Sequence, residues 1–136
     1  MYQYMAEILK VVDGDTVDVR IDLGFSVHIM QRVRLNGVDT PECRTTDPVE
    51  KRFGFMAKSF VVFNLVVGCK YQLDTDLDDT GKFGRVLGVF TLPDGTTIND
   101  ALIQKRLAVA YVGQNKELVR AAHEANWKFL DEVAEK

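Results

Sequence analysis

Residues 34–42 combine residue types that can bind a metal ion. The segment reads Arg-Leu-Asn-Gly-Val-Asp-Thr-Pro-Glu, which puts an arginine at a predicted strand end and two carboxylates, Asp39 and Glu42, on the following turn. Pro41 biases Thr40 towards an extended backbone. Asp39, the Thr40 carbonyl and Glu42 can then converge on one cation, and such oxygen ligands suit calcium or magnesium. The same spacing is equally typical of a solvated polar turn.

Two further segments place charged residues beside glycines. Asp15 follows the dipeptide Asp13-Gly14, and a hairpin turn explains that dipeptide but leaves Asp15 unexplained. The second segment, Gly-Lys-Phe-Gly-Arg at residues 81–85, sets basic side chains at the start of a predicted strand. It is not a phosphate-binding P-loop, which needs a longer glycine spacing and a Lys-Ser/Thr end. On its own it predicts only a basic hairpin loop.

The hydrophobic pattern predicts the elements that must position these residues. A strand ends near Val12, and alternation of apolar and polar residues predicts two more strands over residues 16–22 and 27–35. A helix is predicted from Pro48 to about residue 67, with Asp47 as its N-cap and Glu50 completing a capping box. Gly68 supplies the stop signal. Helical spacing predicts these buried side chains: Phe53, Ala57, Phe60, Val61 and Leu65. The other aromatic residues of this helix, Phe55 and Phe63, are also expected to cover the core.

The second half of the chain is predicted to add two strands and two helices. The strands cover residues 69–75 and 85–92, a short helix covers residues 99–106, and a last helix begins near Lys116. The last helix is predicted to bury one apolar face, made of Leu118, Ala122, Ala125, Phe129 and Val133. The order βββ-α-ββ-α-α fits an α+β protein with a five-stranded OB-type Greek-key barrel and three helices.

Composition limits the classes of protein to consider. A chain of 136 residues suits a single domain over residues 1–136. Its net charge of −3 counts against a module that depends on non-specific affinity for DNA, but less against an enzyme. The two cysteines, Cys43 and Cys69, are too few for a disulfide framework, and we expect free thiols.

The sequence as given predicts neither a membrane span nor an N-terminal signal peptide. No apolar run reaches the roughly 20 residues that cross a bilayer, and the first residues lack the basic and apolar regions of a signal peptide. We therefore expect a cytoplasmic monomer without membrane contact, or a secreted protein if the sequence is a trimmed mature form.

Together the motifs resemble the staphylococcal nuclease (thermonuclease) family. The matching segments are Val-Asp-Gly-Asp-Thr-Val at 12–17, Arg34 with Val-Asp-Thr-Pro-Glu at 38–42, Phe53-Gly54 after Val-Glu-Lys, Gly-Lys-Phe-Gly-Arg at 81–85, and Asn-Asp-Ala-Leu at 99–102 leading to Ala-Tyr-Val at 110–112. Each motif alone is weak, but their order and spacing over nearly the whole chain are specific.

The resemblance implies a nuclease that uses one calcium ion. Asp15, Asp39 and the Thr40 carbonyl look like the calcium ligands, and Glu42 resembles the proposed general base that acts on a water beside the metal. The resemblance also implies hydrolysis of DNA and RNA with little sequence preference and 3′-phosphate products.

Four more residues resemble the family's substrate contacts. Arg34 and Arg85 look like the arginines that bind the reacting phosphate, which suits guanidinium geometry, while Lys82 and Tyr111 resemble nucleotide contacts. Gly113 departs from the pattern, because a second tyrosine would stack on a base there, and Phe83 replaces another tyrosine. His28 and His123 are predicted to lie apart from the carboxylates.

Two other functions stay open on the sequence. One is a non-catalytic nuclease-like module that binds nucleic acid or protein. The other is a metal-dependent phosphodiesterase for a small nucleotide, which the acidic balance leaves open because steering of a long polyanion should be weak.

Overall fold

The described part of the chain folds into a closed five-stranded barrel with three helices, as the sequence predicts for an α+β protein of this length. The computed structural model describes residues 2–77 and 86–135, so Lys82, Phe83 and Arg85 lie outside the described residues. The barrel strands are β1 (Tyr2–Asp13), β2 (Thr16–Asp22), β3 (His28–Leu35), β5 (Lys70–Leu77) and β6 (Val86–Thr91). Two short strands also form, β4 (Val38–Asp39) and β7 (Val109–Ala110).

The barrel order is β1-β2-β3-β6-β5, and pairing of β1 with β5 closes it. All pairs are antiparallel except β3 with β6. The first strand, whose end near Val12 the sequence predicts, begins at Tyr2: residues 2–7 pair with β5, and residues 5–13 pair with β2. Tyr2 and Met5 are exposed in this segment, so the amphipathic alternation that announces a strand is weak there.

The barrel interior is filled by apolar side chains that alternate along the strands. Those with at most 3% exposure include Ile8, Val17, Val19, Ile21, Val33, Leu35, Leu73 and Phe90. Helix α1 (Pro48–Asn64) packs against β1 and adds buried Phe53, Ala57 and Val61, with Leu65 at its C-cap. Both cysteines are free thiols, as expected, with Cys43 buried and Cys69 exposed.

The predictions for α1 were wrong at its end and on one side. The helix ends at Asn64, about one turn before Gly68, and the Leu65 amide donates to the Val61 carbonyl. Phe55 and Phe63 were expected to cover the core, but they are exposed, Phe63 by 82%. Each lies two residues from a buried member of the stripe, and two residues turn a helix by about 200°.

The buried face of the last helix was also predicted wrongly. Helix α3 (Lys116–Ala134) buries His123, Asn126 and Trp127, whereas the proposed face is open: Leu118, Phe129 and Val133 are exposed by 59%, 42% and 53%. Trp127 stacks on Phe53 of α1 with ring centroids 5.4 Å apart. Helix α3 therefore contacts the rest of the protein along a narrow stripe that contains His123, Asn126 and Trp127.

Helix α2 (Ile98–Gln104) and the β4–β7 pair complete the fold around the segment that follows β3. Ile98, Asn99 and Leu102 are buried on α2. Strands of two residues are too short to show alternation, so the sequence did not predict β4 or β7. Among the described residues, no helix is long and apolar enough to cross a membrane.

Candidate active site

One cavity of about 280 Å³ brings together five of the residues that the sequence singled out. These are Asp15, Arg34, Asp39, Thr40 and Glu42, and the remaining lining residues are Asp13, Thr16 and Pro41. They come from the β1–β2 turn, from the end of β3, and from β4 with the loop after it. The barrel and the β4–β7 pair therefore create a polar cavity from separate parts of the chain.

Asp15 reaches this cavity because the turn before it packs closely on the protein. A Cβ added at Gly14 would lie 2.9 Å from the Ala57 Cβ and 3.0 Å from the Thr40 hydroxyl, so only glycine fits without a shift. The Asp15 carboxylate accepts from the Thr16 hydroxyl at 3.1 Å and from the Thr40 amide at 3.4 Å. The turn is thus more than a hairpin connection, because it aims Asp15 at the β4 loop.

Arg34 lies between the two carboxylates, Asp15 and Asp39, and is held by the turn that follows it. Its Nη1 donates to the Val38 carbonyl at 3.0 Å and lies 3.7 Å from Asp15 Oδ2. Its Nη2 donates to Asp39 Oδ1 at 3.4 Å. The side chain is mostly buried, so its guanidinium orientation is set before any ligand arrives.

The turn between β3 and β4 is braced by α2 and β7. The Asn99 amide nitrogen donates to the carbonyls of Asn36 and Gly88 at 2.9 and 3.1 Å. Gly37 has a φ of +77°, a left-handed conformation that glycine adopts readily. Its carbonyl accepts from the Tyr111 amide at 2.8 Å. These hydrogen bonds fix the turn between Arg34 and Asp39, and so fix the relative positions of the two residues.

His123 contradicts the expectation that both histidines lie apart from the carboxylates. Its Nε2 lies 2.8 Å from Asp39 Oδ2, and the residue is only 5% exposed. Eighty-four positions separate the two residues, and no local spacing signals the contact. It arises because α3 packs its buried side beside β4.

Glu42 is positioned through its backbone. Its amide donates to Glu50 Oε2 at 3.3 Å, and Arg120 donates to Glu50 Oε1 at 3.1 Å. Asp47 is the N-cap of α1, as predicted, but the Glu50 carboxylate contacts the Glu42 loop and Arg120 instead of completing a capping box. Glu50, which the sequence assigned to the start of α1, therefore contacts the backbone of Glu42.

The electrostatic environment raises the pKa of Glu42 above its ordinary value. Burial is the largest cause, followed by repulsion from Asp15, Asp13, Asp39 and Glu50. A raised pKa makes the ionised carboxylate a stronger proton acceptor. The repulsion also reveals a local excess of negative charge, to which Asp13 contributes although the sequence assigned it only to a turn.

Tyr111 lies beside this cavity in a larger groove of about 870 Å³. The groove shares Arg34, Asp39 and Glu42 with the cavity and continues past Tyr111 and Gly113. Tyr111 is 39% exposed, and its ring centroid lies 5.9 Å from the Arg34 guanidinium carbon. Gly113 has a φ of +86°, which disfavours a tyrosine at that position.

Two side chains and one backbone group are the candidates to hold a cation. Asp15 and Asp39 flank Arg34, and the backbone of Thr40 adjoins both. Within residues 2–77 and 86–135, no three His, Cys, Asp or Glu side chains converge closely enough to hold a metal ion by themselves. Any cation here would therefore need backbone, water or ligand oxygens as well.

The chain is similar in sequence to a known protein family and to several known proteins. The sequence model of a family described as staphylococcal nuclease homologue matches residues 32–136. Similar proteins include the protein ParB of Escherichia coli, 28% identical over 90% of this chain and 68% of that protein. An uncharacterized endonuclease of Escherichia coli is 30% identical over 82% of this chain and 64% of its own length. A thermonuclease of Staphylococcus intermedius is 32% identical over 64% of this chain and 48% of its own length.

Proposed function

The chain belongs to the staphylococcal nuclease homologue family, and from this premise we propose that it is a calcium-dependent nuclease. Its substrates are DNA and RNA, cut with little sequence preference to leave 3′-phosphate ends. The observation that carries the proposal is the cavity in which Arg34 lies between Asp15 and Asp39, with Glu42 on the same wall. The chain spans about two thirds of the first two relatives and about half of the thermonuclease. The proposal that it shares a nuclease activity therefore depends on the residues of that cavity.

Arg34 is proposed to bind the phosphate that reacts. In-line attack on a phosphodiester gathers negative charge on the equatorial oxygens, and donors that are already oriented stabilise that charge more than they stabilise the ground state. The contacts with Val38 and the two carboxylates orient Arg34 in this way. Arg85 would supply the second guanidinium, but it lies outside the described residues.

Glu42 is proposed to accept the proton from the attacking water. Burial and the nearby carboxylates raise the pKa of Glu42, which increases the basicity of its ionised form. The contact of its amide with Glu50 fixes the loop and so limits where the carboxylate can reach.

Calcium suits the donor set at this site. Calcium takes roughly six to eight oxygen ligands in a flexible geometry, so Asp15, Asp39 and the Thr40 carbonyl leave positions for water and phosphate oxygens. Repulsion from the nearby carboxylates, which adds to burial in raising the pKa of Glu42, would be relieved by a cation. A bound calcium ion would polarise the phosphate and lower the pKa of nearby water.

The groove around Tyr111 is proposed to hold the nucleotide next to the reacting phosphate. An aromatic ring that is partly exposed beside a phosphate site can stack on any base, which agrees with low sequence preference. Lys82 would add a second contact on the grounds of its motif alone, since it lies outside the described residues.

Cleavage of long single-stranded DNA with calcium, with magnesium or with a chelator tests the proposal. Cleavage should require calcium, and Arg34→Ala should lower turnover by about 10²–10³-fold, the typical loss of an oriented donor to the transition state. Arg32→Ala is the matched control. Arg32 lies on the same strand two residues away, but it is paired with Asp18 at 2.8 Å on the barrel surface. Turnover should survive that change.

The same assay separates the other functions. A pure protein that binds oligonucleotides with calcium and never cuts them would support the non-catalytic module. Cleavage of a dinucleotide without cleavage of long DNA would support the small-nucleotide phosphodiesterase. Chelator-resistant cleavage of DNA would contradict the role given to calcium.

A further inference from the structure

We propose that His123 is a positioning residue that orients Asp39 for calcium. The imidazole donates from Nε2 to Asp39 Oδ2 at 2.8 Å, whereas Arg34 approaches the other oxygen, Oδ1, only at 3.4 Å. The short contact anchors one oxygen and leaves the other loosely held and able to bind a cation. The inference rests on the proposed function and assigns α3 a part in the site.

The backbone around Asp39 does not by itself fix the carboxylate. Strand β4 has two residues and pairs only with β7, and the Asp39 side chain is partly exposed. A carboxylate in that setting can rotate unless a partner holds it. The described contacts of its two oxygens are Arg34 on one side and His123 on the other.

The imidazole is itself held rigidly. It lies against the Trp127 ring, with centroids 6.1 Å apart, and Trp127 in turn stacks on Phe53 at 5.4 Å. His123 and Trp127 are both nearly buried. A row of three rings thus connects α1 to Asp39 and sets where Nε2 points.

Donation from Nε2 does not depend on the charge of the ring. An ionised carboxylate only accepts, so the nitrogen that faces it carries hydrogen both in the matching neutral tautomer and in the imidazolium. Removing hydrogen-bond partners of metal ligands typically lowers metal affinity or activity by about 10–100-fold. We expect a loss of that size in calcium affinity.

Calcium titration calorimetry on the whole chain, with calcium ion alone, provides a readout independent of cleavage. His123→Leu should raise the calcium dissociation constant by about 10–100-fold. His123→Gln should restore most of the affinity, because its amide nitrogen reaches about as far from the backbone as Nε2 does.

Asp131→Asn is the matched control for loosening of α3. Asp131 accepts from Arg52 of α1 at 2.9 Å on the protein surface, away from Asp39. Its replacement weakens the docking of α3 without touching the site, and calcium affinity should not change. If His123→Leu does not fold, His123→Asn replaces it in the comparison with His123→Gln, because its amide nitrogen falls short of Asp39.

Three results would overturn the inference. One is an unchanged calcium affinity in His123→Leu. Another is a His123→Gln variant that binds calcium as weakly as His123→Leu does. If His123→Leu does not fold, the same holds for a His123→Gln variant that binds calcium as weakly as His123→Asn does. The third is an Asp131→Asn variant that loses as much affinity as the leucine variant, since that would reduce His123 to a packing role. If the wild-type protein binds calcium and cuts DNA, these results leave the proposed function standing, whereas a wild-type protein without calcium affinity overturns both.

Discussion

Gly54→Ala is expected to damage the site by moving the backbone of Glu42, although it removes no reacting group. Gly54 lies inside α1, where an added Cβ would be 2.5 Å from the Glu42 carbonyl oxygen and 2.9 Å from the Cys43 amide nitrogen. Ordinary contact begins near 3.4 Å. The neighbours are backbone atoms that cannot rotate away, so the helix and the loop must separate by about 1 Å.

Two opposing effects set the change in stability. Alanine is favoured over glycine inside a helix by about 0.5–1 kcal/mol. Overpacking a tight contact typically costs about 1–3 kcal/mol. The free energy of unfolding should therefore fall, by up to about 2.5 kcal/mol. Activity should suffer more, because misplacement of a catalytic group by about 1 Å can lower the rate about 100-fold, which corresponds to about 2.7 kcal/mol in the barrier.

Urea unfolding and single-turnover DNA cleavage at saturating calcium measure the two effects separately. Ser59→Ala is the control, because Ser59 is an exposed residue of the same helix and its replacement leaves an alanine in α1 without adding a Cβ against a neighbouring backbone. The control should keep wild-type activity. A Gly54→Ala protein that is as active as wild type and more stable would refute the reasoning, since the loop would then have yielded without moving Glu42.

Three other changes have defined expectations. Burial and the nearby carboxylates raise the pKa of Glu42, so its ionisation disfavours the folded state once the pH exceeds the ordinary value of 4.5. Glu42→Gln should therefore raise the midpoint of calcium-free urea unfolding at neutral pH but not below pH 4.5. The same change should lower the cleavage rate about 10²–10⁴-fold. A lower midpoint at neutral pH would contradict this. Tyr111→Ala should raise KM by about 10–100-fold, as expected for one lost stacking contact of roughly 1–3 kcal/mol, and Tyr111→Phe should leave KM unchanged; steady-state kinetics that place the loss in kcat would contradict a stacking role. Trp127→Ala should lower the free energy of unfolding by about 3–5 kcal/mol in a urea titration. Trp127→Phe should lower it much less, because phenylalanine keeps a ring against Phe53. It also removes an indole N–H that is buried without an acceptor among the described residues. Equal losses in the two variants would show that the ring stack is not what matters.

The sequence alone determined the features whose signals are local. Alternation over residues 16–22 and 27–35 predicted two of the barrel strands, because the inside and the outside of a sheet impose a period of two. The α1 start was equally clear, since Asp47 and Pro48 satisfy the needs of a helix N-terminus without help from the rest of the protein. The short motifs also located five residues that the structure brings into one cavity, although the roles of those residues are still proposals.

Only the tertiary structure decided which distant groups share an environment. The contact of His123 with Asp39 joins α3 to β4, and the contact of Glu50 with Glu42 was hidden behind a helix-capping pattern. The buried side of α3 could not be predicted either, because its apolar residues outnumber those that its narrow contact with α1 and β7 can cover. Periodicity shows that a helix has an apolar face, but burial and charge at a site depend on the partners that packing brings to it.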